Sequence, residues 1–259
     1  MIAFTSPASP HKARWLALSA ALLALALNAH GAIAQWAGYH AFADARRWLG
    51  VPNAENVLSN LPFLVLGAWG WTAARGSPAW RAFSLALVGT AFGSALYHWS
   101  PANASLVADR LPIACACAAL LCGLMSERVD ARWSSPGALS AALLAAGGSV
   151  AWWWLGERQG HGDLRAYLFV QFLPMLLVPV ALLTKMPPRG AHAVPDATWW
   201  TVLALYAAAK LMELADHAVL EALNVVSGHT LKHLLAAAAA LCLLRGVRGN
   251  AEVSSGSPR

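Results

Sequence analysis

Charge is scarce in this sequence. Asp, Glu, Lys and Arg make up 12% of the 259 residues against 58% hydrophobic, and the mean hydropathy is +0.52. A soluble domain carries about 25% charged residues, so a water-soluble fold is excluded and a helical membrane protein is expected. Cysteine is also scarce. Cys115, Cys117, Cys122 and Cys242 all fall inside apolar stretches, where a thiol behaves as a small hydrophobe. Neither a disulfide framework nor a thiolate metal site is indicated. No basic run is present either: the net charge of +6 is scattered in ones and twos, which argues against a nucleic-acid partner and fits a membrane surface.

Long apolar segments and tryptophan are what the chain has in quantity. Trp15, Trp36, Trp48, Trp80, Trp99, Trp152 to Trp154, Trp199 and Trp200 stand where apolar and polar stretches meet, the pattern of an aromatic belt. Roughly 20 apolar residues cross a bilayer core. Gaps between charges delimit eight such segments, at 15–36, 56–74, 82–100, 109–126, 134–155, 165–184, 197–217 and 228–244. The expected fold class is all-α, a polytopic membrane bundle. Residues 1–41 form an N-terminal membrane helix, 42–246 the core, and the Gly/Ser/Pro-containing 247–259 a disordered tail. Ala32-Ile33-Ala34 before Gln35 resembles a signal cleavage site, yet the first segment is long enough to span and is read as uncleaved.

Lys and Arg placement sets the orientation. With a cytoplasmic N-terminus, only Arg46, Arg47, Arg110, Arg158, Arg165, Lys210 and Lys232 fall outside or within helices, leaving eleven of the 18 inside. Both termini are therefore expected in the cytoplasm.

Polar groups at membrane depth are costly and rarely idle. They concentrate in four segments: Ser94 and His98; Asp109 and Arg110; Lys210, Glu213, Asp216 and His217; His229, Lys232 and His233. Under the expected topology His98, Asp109 and His229 share the outer end of the bundle. Residues four apart lie on one helix face, so Ser94 and His98 point the same way, as do His229 and His233. Three neutral imidazoles, His98, His229 and His233, suit a zinc ion and leave a fourth position for water, whose pKa falls to about 7. Asp109 is placed to handle that water's proton and Ser94 to hydrogen-bond the water or an oxyanion. Taken singly, each has a plainer explanation: a solvated interfacial His, a small Ser at a helix contact, an Asp at a helix start. The combination favours hydrolysis of an amide or ester in a lipid.

Lys210 and Glu213, three apart, are read as a neutralising pair. Asp216 and His217 are candidate partners for a metal-bound imidazole, and Glu157, His161 and Asp163 a solvated loop. Lys232, one residue off the histidine face, is expected to point away from both histidines.

The order Ser94-x-x-x-His98, Asp109, His229-x-x-x-His233, with Asn56-Val57-Leu58-Ser59-Asn60, Gly93-Ser94-Ala95-Leu96-Tyr97-His98 and Asp109-Arg110-Leu111-Pro112, resembles the alkaline ceramidases. These belong to a hydrolase superfamily that includes the adiponectin and progestin receptor-like proteins. The likeness covers roughly residues 42–244. It implies a seven-transmembrane-helix bundle, here with one extra N-terminal helix, and a zinc-dependent amidase cleaving the N-acyl chain from ceramide or a related membrane lipid. It also implies His98, His229 and His233 as ligands, Asp109 as acid/base and Ser94 as oxyanion or water partner. The acidic calcium-binding stretch of the eukaryotic members corresponds here to residues 44–55, with two arginines and few carboxylates, so calcium is a doubtful cofactor. Arg110 stands where those enzymes have an acidic residue, which bears on head-group preference. The Ala- and Arg-rich style suggests a bacterial inner membrane, with the zinc site facing outward. Other readings were weighed: a receptor-like member of the same fold, an intramembrane protease using Ser94, and a retinal protein using Lys232.

Overall fold

The structure, a computed structural model, describes residues 10–255 and the side chains of residues 10–250. Residues 1–9 and 256–259, the ends of the expected N-terminal segment and tail, lie outside the described residues. Ten α-helices follow in order: α1 (Pro10–His30), α2 (Ala54–Leu58), α3 (Leu61–Ala73), α4 (Pro78–Trp99), α5 (Asn103–Arg128), α6 (Pro136–Glu157), α7 (Arg165–Leu183), α8 (Asp196–Leu214), α9 (Asp216–Leu223) and α10 (Gly228–Ser255). Helix α10 continues to Ser255, through the first part of the expected tail. No strand occurs among the described residues; a single bridge pairs Trp48 with Val51.

Among the described residues six helices are long and apolar enough to cross a membrane: α1, α4, α5, α6, α7 and the Gly228–Asn250 stretch of α10. The expected segment at 56–74 is broken. Leu58 ends α2, and α3 begins at Leu61 with Pro62 in its first turn, where the missing N–H costs no intrahelical bond. Its 13 residues rise only about 20 Å. The segment at 197–217 becomes α8, which keeps Asp196, Lys210 and Glu213, and hands over to the short α9 at Asp216.

Helix α4 packs against α3 and α5, α5 also against α6 and α7, and α10 against α8 and α3. Alanine is frequent in the shared core, including Ala86, Ala91, Ala119, Ala181, Ala237 and Ala240. In lipid no hydrophobic force drives helices together, so close backbone approach through small side chains does the packing. Large apolar side chains such as Leu22, Phe92, Leu144 and Leu214 face outward, as a bilayer requires. Three tryptophans depart from the belt pattern: Trp80, Trp153 and Trp199 are fully buried, while Trp15, Trp36, Trp48, Trp99, Trp152 and Trp200 are exposed. An apolar flank in sequence does not distinguish a ring at the interface from one inside the bundle.

A buried ionic cluster ties one end of the bundle. Glu127 accepts from Arg128 Nε (3.0 Å), Trp199 Nε1 (2.8 Å) and the Val194 amide (2.7 Å). Arg128 donates in turn to Asp196 (2.7 Å) and to the carbonyls of Met186 and Val194. Arg128 and Glu127 together join α5 to the segment before α8.

Candidate metal centre

The other end of the bundle carries the three histidines. Helix α10 starts there because Ser227 caps it: the Ser227 hydroxyl accepts from the Thr230 amide (3.1 Å) and Asp216 Oδ1 from the His229 amide (2.7 Å). Gly228 is required at this start, since a Cβ would lie 2.2 Å from the Met212 carbonyl oxygen and 2.8 Å from Asp216 Cα. Asp216 Oδ2 also accepts from the Ala43 amide (2.9 Å). Its carboxylate is thus spent on backbone N–H groups and does not partner an imidazole, contrary to the sequence expectation; His217 likewise faces the Ala41 carbonyl (3.2 Å).

Helix α4 delivers His98 to the same place from the far side of the chain. His98, His229 and His233 are all buried, their ring centroids lie 4.8–5.0 Å apart, and one ring nitrogen from each lies within 4.8 Å of the others. His98 Nε2 and His229 Nε2 are 3.2 Å apart. The three-histidine group can hold a metal ion.

For His233 the second ring nitrogen decides the tautomer. His233 Nδ1 lies 2.7 Å from Ser59 Oγ, and the Ser59 hydroxyl bonds the Asn56 carbonyl (3.1 Å). With that hydroxyl donating to Asn56, His233 Nδ1–H donates to Ser59 and Nε2 keeps its lone pair for a ligand. Sequence reading missed this partner, although Ser59 stood inside the quoted Asn56 to Asn60 stretch. The Asn53 side-chain Nδ2 donates to the His98 carbonyl (2.7 Å), so residues at the two ends of α2, Asn53 and Ser59, support two of the three histidines.

Ser94 and Asp109 come together through a backbone contact. A Cβ on Gly93 would fall 1.9 Å from the Ala108 carbonyl oxygen, so α4 and α5 touch there and the next residues, Ser94 and Asp109, follow as neighbours. Both side chains are buried. Pro112 contributes from within α5, because it cannot donate to the Ala108 carbonyl and leaves it free for the close approach. Asp109 Oδ1 and His98 Nδ1 are buried and without a partner among the described residues.

Lys232 does not point away. Its ammonium bonds Glu213 Oε1 (2.8 Å) and lies 3.3 Å from His229 Nε2, while Lys210 bonds Glu213 Oε2 (2.7 Å). Residues three apart share a helix side, which outweighs the one-residue offset from His233. Glu213 therefore holds two lysines where sequence reading gave it one.

The segment between α1 and α2 covers this end. The Phe42 ring centroid is 4.6 Å from both His98 and His229. His40 bridges the Tyr97 hydroxyl and Asn103 (2.9 Å each), and Asn103 donates to Glu157 (2.8 Å). Glu157 and Asp163 thus tie the cover down and are not a free solvated loop, since Asp163 accepts from the Ile33 amide (3.2 Å). Arg46 Nη2 bonds Asp44 (2.6 Å), Glu55 (3.0 Å) and the Val225 carbonyl (2.8 Å). The arginine holds the Asp44 carboxyl below the usual aspartate range, while burial pushes Glu55 up. The carboxylates of the 44–55 stretch are thus engaged by an internal cation.

No protein-family model matches the chain, and no curated protein matches its sequence.

Proposed function

We propose that the chain is a zinc-dependent membrane amidase that hydrolyses the N-acyl bond of ceramide or a related lipid, as its resemblance to the alkaline ceramidases implies. The carrying observation is the convergence of three buried imidazoles from helices far apart in sequence; Ser94 lies one turn before His98 on α4, and Asp109 follows the point where α5 touches α4 at Gly93. One ring nitrogen of each histidine lies within 4.8 Å of the others, and His98 Nε2 and His229 Nε2 are 3.2 Å apart, a donor set of three imidazoles that suits zinc. His98, His229 and His233 would hold the ion. When bound, zinc lowers the pKa of water to about 7 and polarises a carbonyl oxygen.

The chain's own residues carry the rest. Asp109 takes a proton from the attacking water and returns it to the leaving nitrogen. Ser94 hydrogen-bonds the oxyanion. Water oxygen joins the acyl carbon and the C–N bond breaks, giving a fatty acid and an amine. Phe42 and the covering segment exclude bulk water from the reacting carbonyl.

In this reading the broken α2–α3 pair and α8 complete a seven-helix core, with α1 as the addition. Both termini are cytoplasmic, the protein sits in a bacterial inner membrane, and the histidines open outward. The test is metal quantification on purified protein followed by a hydrolysis screen of N-acyl lipids. Zinc at one equivalent with amide turnover is expected, and Asp109→Asn should keep the metal while losing roughly 100-fold or more in turnover. Full activity in Asp109→Asn, or protein that binds no metal, defeats the proposal.

A further inference from the structure

One residue along from Asp109 stands a second polar anomaly. Arg110 is 3% exposed, and its guanidinium is ringed by Trp153 (4.1 Å to the ring centroid), Tyr167 (5.0 Å) and Tyr39 (5.5 Å). Its Nη2 donates to the Gln35 side chain, a neutral acceptor. None of the ion pairs among the described residues includes it. Two buried donors in this cage, Arg110 Nη1 and Trp153 Nε1, have no acceptor.

Aromatic faces attract a guanidinium but do not satisfy the N–H groups at its edge. A buried cation without a counter-ion is costly, and arginine cannot shed its proton to escape the cost. The adjacent carboxylate does not relieve it. Asp109 Oδ1 is also unpartnered, and no ion pair joins the two side chains. At this end of the bundle Asp109 thus carries an unpartnered acceptor, and Arg110 and Trp153 two unpartnered donors.

Resting on the amidase reading, we propose that Arg110 and Trp153 form an anion subsite for a carboxylate one carbon from the scissile amide nitrogen, making the substrate class N-acyl amino acids. The amide N–H then faces Asp109 while the carboxylate accepts from Arg110 and Trp153. A planar carboxylate suits the guanidinium edge. Hydrolysis breaks the C–N bond and yields a fatty acid and a free amino acid.

The test uses full-length, zinc-loaded protein in phosphatidylcholine nanodiscs, with N-oleoylglycine and N-oleoylethanolamine as probes sharing one acyl chain and one amide. The glycine conjugate should be favoured about tenfold or more in kcat/KM. That ratio should fall to near one in Arg110→Gln, a loss of about tenfold or more as for a charge-assisted hydrogen bond, and fall a few-fold in Trp153→Phe, which keeps the ring and loses the N–H. If Arg110→Gln does not fold, Arg110→Lys and Trp153→Phe carry the comparison. Turnover by the native chain with a ratio near one, or a ratio that neither variant moves, overturns the subsite and leaves the amidase reading intact. If no amide is turned over, binding followed by tryptophan fluorescence decides. Tighter N-oleoylglycine binding that Arg110→Gln abolishes upholds the subsite while the amidase reading fails, and equal binding of the two probes overturns it. Oleate binding as tightly as N-oleoylglycine, with the same loss in Arg110→Gln, overturns the assignment to the substrate head group.

Discussion

The bundle carries two buried ionisable clusters, one at each end of α5, and they differ in how fully their polar atoms are paired. At one end Glu127, Arg128, Asp196 and Trp199 share hydrogen bonds of 2.7–3.0 Å, and neither Glu127 nor Arg128 has an unpartnered atom. At the other, about 27 Å away along the helix, His98 Nδ1, Asp109 Oδ1, Arg110 Nη1 and Trp153 Nε1 are buried with no partner. A closed network specifies the fold and needs nothing further. An open one is costly unless something else completes it, and in a chain with so few charges it marks the end where chemistry is expected.

Breaking each end in turn gives the largest effects. Glu127→Ala leaves buried Arg128 with half-exposed Asp196 as its one remaining carboxylate beside the Met186 and Val194 carbonyls and should cost about 3–5 kcal/mol of stability. A melt of the purified protein reads this, and metal content per folded molecule should not change. His229→Gln should do the opposite, reducing bound metal to background with little effect on melting. Metal loss in Glu127→Ala, or collapse of the fold in His229→Gln, would erase the distinction between the ends.

The support behind the histidines comes next in size. Ser59→Ala removes the acceptor that orients His233, and loss of such a partner typically lowers metal affinity 10- to 100-fold. Titration against a competing chelator measures it, with Ser59→Thr as the variant that should retain affinity. Unchanged affinity in Ser59→Ala would make the hydroxyl merely the stop between α2 and α3.

What could be read from the sequence divides along the same line. The i, i+4 pairs Ser94/His98 and His229/His233 are legible because helical spacing fixes a face, and the pattern of loop charges assigns them to one end of the bundle. Ser59, 174 positions from His233, is not, because its role depends on the break at Ser59-Asn60 that turns one expected span into α2 and α3. Asp216 was misassigned for a related reason: a carboxylate before a helix start serves backbone N–H groups as readily as an imidazole. The Glu127–Arg128 cluster was invisible, since adjacent opposite charges at a segment boundary look alike whether solvated or buried. The spacing of residues shows which groups share a face, and only the packing shows which of them are already satisfied.

Lys232 offers a smaller and more pointed test. Its ammonium shares His229 Nε2 with the proposed ion at 3.3 Å and leans on Glu213, which Lys210 also neutralises. Removing a positive charge beside a cation site should tighten metal binding, so Lys232→Met should raise affinity by roughly three- to tenfold. Weaker binding in this variant would show that the lysine holds Glu213 and α8 in place for the histidines and does not oppose the ion.

The smallest expected effect sharpens the comparison most, because it comes from a closed network at the open end. Arg46 joins Asp44, Glu55 and the Val225 carbonyl beside the histidine cover, with its own side chain 51% exposed. By pairing alone this cluster belongs with Glu127, so Arg46→Ala should lower the melting temperature slightly and leave metal content unchanged. The pH dependence follows from the direction of the Asp44 shift. The arginine lowers the folded-state value, so the stabilisation is complete above the ordinary aspartate pKa of about 3.9 and disappears as pH falls through the lower folded value. The melting gap between the native chain and Arg46→Ala should therefore be full at pH 6, narrow below about pH 4, and shrink with added salt because the pair is half in water. A gap that persists undiminished to pH 3 would mean that the Val225 carbonyl and packing hold the arginine, and that charge pairing contributes little at this end of the bundle.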